Sequence, residues 1–149
     1  MLMLSNTSKY AIRAIIYLAV FAEDGKKIGI KKIAEALDIP SPFLGKILQV
    51  LVRRKLLSST KGPNGGFGVG KNPNNITLFD VIVEMDGDAL FNSCLLGAGS
   101  CESTKAEDGY CALHYEFEAA RNQVMDLYKS KTVGELAAQA KVNGNQIVF

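Results

Sequence analysis

Two stretches of helically spaced apolar residues meet at Asp38-Ile39-Pro40 and run straight into a glycine-studded hairpin, which leaves residues 30–69 few ways to fold. In the first stretch Ile30, Ile33, Ala34 and Leu37 recur at intervals of three and four, the spacing of one helix face. Ser41 followed by Pro42 then reads as an N-cap with proline at the first helical position, where its missing N–H breaks no hydrogen bond. The helix it opens is expected to reach about Lys55, with Phe43, Leu44, Ile47, Leu48, Leu51 and Val52 toward the core and Gly45, Lys46, Gln49 and Arg53 outward. Residues 56–60 read as a strand, the run Lys61-Gly62-Pro63-Asn64-Gly65-Gly66 as a tight turn, and residues 67–69 as the returning strand. Two helices joined by a short turn, the second with exposed basic side chains, make a helix-turn-helix, and the hairpin behind it makes a wing. The glycines of the tip would let backbone approach a phosphate or a narrow minor groove, with Lys61 at the base supplying charge. An ordinary surface hairpin is the plain alternative, and its place directly behind a basic helix argues against it.

The flanking segments complete a mainly α fold. Residues 8–22 space Ala11, Ile15, Leu18, Ala19 and Ala22 for an amphipathic helix, stopped by Glu23-Asp24-Gly25. Thr77 with Asp80 resembles a capping box opening a helix to about Met85, which Asp86-Gly87-Asp88 ends. A long helix is expected over 111–131, where Leu113, Phe117, Ala120, Val124 and Leu127 step by four, three, four and three, the narrow seam of a coiled-coil pair. That seam is read as a dimer contact, against the alternative of packing onto its own domain. Thr132 and Glu135 form a further capping box before a short helix to Ala140 and a tail. The expected organisation is a winged helix-turn-helix over 1–86, a loop over 87–110, a dimerisation helix over 111–131 and a short helix and tail over 132–149.

Charge divides the same way. Residues 1–75 carry twelve Lys and Arg against four Asp and Glu, a net of +8, whereas residues 76–149 carry five against eleven, a net of −6. A basic half joined to an acidic half points to a polyanion as partner of the first. The longest apolar run, residues 14–22, is too short for a membrane span and no cleavable leader precedes it, so a cytoplasmic protein without membrane partner is expected. Three cysteines suit reduced thiols, metal ligation or redox chemistry better than a disulfide framework.

All three cysteines and the single histidine fall within residues 94–114, as Cys94, Cys101, Cys111 and His114. Gly97, Gly99 and Gly109 make packed core improbable there, and four soft-metal ligands so close together ask for a chemical explanation. Zinc is one candidate, though zinc sites favour closely spaced C-x2-4-C pairs and none occurs here. Thiol redox sensing and plain thiols are others.

Three segments carry a resemblance to a known family: Ser8-Lys9-Tyr10-Ala11-Ile12-Arg13-Ala14, Lys61-Gly62-Pro63-Asn64-Gly65-Gly66-Phe67, and Ile76-Thr77-Leu78-Phe79-Asp80-Val81-Ile82 leading to Asp86-Gly87. Through them the chain resembles the IscR and NsrR type of winged-helix transcription regulators, the Rrf-two family of bacteria. The resemblance implies a homodimer on a palindromic double-stranded DNA operator. It places Ser41, Pro42, Phe43, Gly45 and Lys46 near base edges, Arg53, Arg54 and Lys61 on phosphates, and Gly62, Pro63, Asn64 and Gly65 in the wing. Gly45 stands where IscR-type proteins have an acidic residue that helps choose operators, so operator preference does not transfer.

The resemblance also implies an iron-sulfur cluster held by Cys94, Cys101 and Cys111, with His114 as fourth ligand and two irons and two sulfides, a four-iron cluster or none being the alternatives. Six residues separate the first two cysteines and nine the last two, longer intervals than the family's usual ones. Lys9 occupies the position where NsrR-type proteins use a partner acid to complete a four-iron cluster. A cluster-free regulator governed by thiol redox or a partner protein is the second reading. An electron carrier, or an enzyme using Cys111 and His114 as a nucleophilic pair, leaves the basic helix and wing unexplained, and no motif for a substrate site is present.

Overall fold

Ser5 opens the first helix by accepting a hydrogen bond from the Ser8 N–H, at 3.0 Å. The computed structural model describes residues 4–22, 25–96 and 113–144. Helix α1 (Asn6–Phe21) therefore starts earlier than its apolar spacing implied, and Ser8 lies inside it, fully buried. Ala11, Ala14, Ile15 and Leu18 are also fully buried, so α1 is the central post of the core rather than an amphipathic surface helix. Its small alanines let neighbours approach closely.

Helix α2 (Ile30–Leu37) ends where Asp38 turns left-handed, φ 52°, and gives its N–H to the carbonyls of Ala34 and Glu35. Pro40 then caps α3 (Ser41–Arg53). The cap was expected at Ser41 with Pro42 first in the helix. Instead the N–H groups of Phe43 and Leu44 both reach the Pro40 carbonyl, at 3.1 and 2.9 Å, which draws Ser41 into the first turn. The far end also falls short of Lys55, whose φ of 60° stops the helix.

Strands β1 (Leu57–Thr60) and β2 (Gly66–Val69) pair antiparallel, with Leu57 opposite Val69 and Thr60 opposite Gly66. Ile28 adds a third member through reciprocal hydrogen bonds with Phe67, both 2.9 Å. Sequence periodicity gave no sign of this one-residue bridge, which ties the α1–α2 connection to the wing.

A 3-10 turn (Pro73–Asn75) leads to α4 (Leu78–Asp86), followed by a short α5 (Ala89–Asn92) inside what the sequence presented as loop, then α6 (His114–Ser130) and α7 (Val133–Val142). Both expected capping boxes are present, Thr77 with Asp80 and Thr132 with Glu135. They lie side by side, because Thr77 and Thr132 form an antiparallel bridge in which the Leu78 N–H reaches the Lys131 carbonyl at 2.9 Å and the Val133 N–H reaches that of Ile76 at 2.8 Å. Helix α7 thus returns to α1, and its Val133, Ala137 and Ala140 join the central core. Helix α6 contributes nothing to that core; its two buried residues are His114 and Arg121. It leans on α4 and α5 through rings, Phe79 to Phe91 at 5.0 Å and Phe91 to Tyr128 at 6.2 Å.

Gly134, in the first turn of α7, makes the bridge geometry feasible. A Cβ there would stand 1.9 Å from Asn74 Oδ1 and 2.9 Å from the Asn74 backbone nitrogen. Gly134→Ala is therefore expected to lower stability by about 1–3 kcal/mol, the usual cost of overpacking, seen as a lower urea midpoint with unchanged slope.

Candidate nucleic-acid interface and metal ligands

Helix α3 buries Leu44, Ile47, Leu48 and Leu51, which turns Pro42, Phe43, Lys46, Gln49 and Arg53 to solvent. Phe43 departs from the expected core stripe: it is 39% exposed and meets the Tyr10 ring edge-on, centroids 5.7 Å apart. Tyr10 in turn carries the Arg13 guanidinium over its face at 5.7 Å. Gly45, expected outward, is half-buried; a Cβ on it would touch Ile30 Cδ1 at 3.3 Å, so glycine here sets how closely α3 crosses α2.

At the end of α3, Arg53 and Arg54 are both exposed. Arg54 is engaged within the chain, its Nε 2.7 Å from Glu84 Oε2 on α4. On the wing Lys61, Gly62, Pro63 and Asn64 are exposed and Gly65 is half-buried. Gly65 and Gly66, where the turn enters β2, lie against the chain's own backbone: a Cβ on Gly66 would overlap the Ile28 carbonyl oxygen and one on Gly65 that of Thr60. Gly62, at φ 109°, has open surroundings.

Three lysines that sequence reasoning left out add to the positive charge of this half of the chain. Lys27 precedes the Ile28 bridge and its Nζ donates to Ser58 Oγ on β1, while Lys31 and Lys32 are exposed in the first turn of α2. Their signal was the pairing of lysines in the basic half; Lys27 meets the wing next to the Ile28 bridge.

The four candidate ligands divide. Cys101 and Cys111 lie outside the described residues. Cys94, two residues beyond α5, is 6% exposed, and His114, the first residue of α6, is 4% exposed. The His114 Nε2 stands 3.4 Å from Glu118 Oε2 one helical turn on, while its Nδ1 is buried with no hydrogen-bond partner among the described residues. Arg121, 6% exposed and two turns along the same face, donates from Nη1 to the Ser93 carbonyl at 3.4 Å and lies 5.7 Å over the Phe117 ring. That bond holds the residue preceding Cys94 against α6. Among the described residues no three Cys, His, Asp or Glu side chains converge as a metal site, two of the four ligands being outside that set.

The α6 seam faces outward in part. Leu113 and Leu127 are 40% and 51% exposed, Ala120 between them is exposed, and Phe117 and Val124 are half-buried. Among the described residues no helix is long and apolar enough to cross a membrane.

The family model described as Rrf2, iron-dependent transcriptional regulator, matches residues 4–139. The chain is 36% identical over 133 residues to an HTH-type transcriptional regulator of Aquifex aeolicus, a match covering 89% of each. It is 31% identical over 126 residues, 84% of each chain, to the HTH-type transcriptional regulator NsrR of Geobacillus kaustophilus. Among solved structures, CymR, the global cysteine regulator of B. subtilis, superposes with TM-score 0.78 at 24% identity, covering 93% of this chain and 98% of that one. IscR of T. potens does so with TM-score 0.72 at 20% identity, covering 99% and 93%. These two likenesses establish the winged-helix fold.

Glu84 competes with any external anion for Arg54. Glu84→Gln should therefore tighten binding of a random-sequence duplex at low salt by up to about fivefold, the equivalent of the ~1 kcal/mol upper value for an exposed ion pair. Fluorescence anisotropy measures it, and unchanged affinity would mean that Arg54 does not meet DNA.

Proposed function

The chain belongs to the Rrf2 family of transcriptional regulators, and from that premise we propose that it works in the cytoplasm as a homodimer on a double-stranded DNA operator, its affinity set by an iron-sulfur centre held by Cys94, Cys101, Cys111 and His114. Residues 1–86 are the reading head in this proposal, residues 87–110 the sensing loop and α6 the dimer contact. Support for the reading head comes from the outward face of α3, where Pro42, Phe43, Lys46, Gln49 and Arg53 are exposed, and from the exposed wing tip that follows it. Support for the dimer comes from the apolar seam Leu113, Ala120 and Leu127, exposed in the single chain.

One observation carries the cluster reading: His114 Nδ1 is buried without a hydrogen-bond partner among the described residues. A buried polar atom left unsatisfied costs about 1–3 kcal/mol, and a metal ion is a partner of the right kind for an imidazole lone pair. Cys94, likewise buried, would act as a thiolate, a soft anionic donor suited to iron and sulfide. When bound, the centre supplies one-electron redox chemistry and sensitivity to iron supply and oxidants. The chain's part is to fix the donors: Arg121 holds Ser93 against α6, and α6 presents His114 at its first turn. Control by direct oxidation of Cys94 is the less favoured reading, because oxidation selects exposed thiolates and this one is covered.

Protein purified without oxygen should contain iron and acid-labile sulfide and absorb in the visible, and Cys94→Ala should lose all three. An apo wild-type protein that fails to take them up on reconstitution would overturn the cluster. For the reading head, log affinity should fall linearly with log salt, and Lys61→Ala should flatten that slope by about one. A slope unaltered by the substitution would remove the wing base from the interface.

A further inference from the structure

His114 is the only histidine of the chain, and its two ring nitrogens have unlike surroundings. Nε2 has the Glu118 carboxylate 3.4 Å away, whereas Nδ1 is buried and meets no donor or acceptor among the described residues. A neutral imidazole carries one proton, and that proton settles on the nitrogen that has an acceptor. Glu118, on the same helix face, is the carboxylate that stands nearest Nε2 among the described residues, its Oε2 3.4 Å away. The lone pair is then left on Nδ1, inside the protein. Arg121, one turn further along, aims its guanidinium at the Ser93 carbonyl and the Phe117 ring.

We propose that Glu118 is the positioning residue for His114, fixing the Nε2–H tautomer so that Nδ1 is the atom offered to iron. A carboxylate on the distal N–H of a ligating histidine both orients the ring and makes the ligating nitrogen more basic. The iron half of the proposal rests on the cluster reading above; the tautomer half concerns the protein alone. The reverse arrangement, with iron at Nε2, would displace the carboxylate and leave a buried N–H at Nδ1 with no acceptor among the described residues.

Because the histidine is unique, the tautomer can be read in cluster-free protein from a two-bond nitrogen–proton correlation of the imidazole, at a pH where the ring is neutral. Wild-type protein should show the proton on Nε2. Glu118→Gln should keep that pattern, since the amide oxygen also accepts, and Glu118→Ala should lose it and give averaged tautomers. A proton on Nδ1 in the wild type, or an unchanged pattern in Glu118→Ala, would sink the tautomer assignment. In reconstituted, reduced protein with histidine labelled at one nitrogen only, pulsed paramagnetic resonance should find the strong coupling at Nδ1; finding it at Nε2 would overturn the iron assignment. Reconstituted wild-type protein without iron and sulfide would refute the cluster reading and the iron assignment with it, while the tautomer is still judged by the correlation spectrum.

Discussion

Two main-chain hydrogen bonds decide where the C-terminal third of this protein goes. They run between Leu78 and Lys131 and between Val133 and Ile76, and they join segments more than fifty residues apart. Each is worth little alone, about 1 kcal/mol net. Their effect is geometric: they set the start of α4 beside the start of α7, where two capping boxes satisfy the adjoining N–H groups, and so direct α7 onto α1. Helix α6 must then end where α7 begins. The site at its other end inherits its position from this bridge.

Much of the fold was legible because helices, caps and turns are local. The apolar intervals of α2 and α3, the break at Asp38-Ile39-Pro40, the hairpin and both capping boxes all stand in the structure close to where the sequence put them. What escaped was non-local. Ile28 pairs with Phe67 across nearly forty residues, and Gly134 is glycine because of Asn74 on a distant turn; neither relation leaves a periodic trace. Phe43 misled for a related reason, since an aromatic residue on the border of an apolar stripe takes the nearest ring, here Tyr10, in place of the core.

The candidate ligands were visible as residue types, because Cys and His are rare here and concentrated in one stretch. Their surroundings were legible only in part. Glu118 shares a face with His114 through helix periodicity alone, whereas only the packing of α6 buries Arg121 beside Ser93. Likewise Lys27 counted only toward basic composition until the Ile28 bridge set it beside the wing.

The only buried side chains on helix α6 are an imidazole and a guanidinium, beside half-buried rings such as Tyr128 against Phe91. Oil-like packing is indifferent to electron count and proton position, whereas attachments of this kind change strength whenever a neighbouring group gains or loses charge. The anchorage of α6 is therefore polar where that of α7, through Val133, Ala137 and Ala140, is wholly apolar.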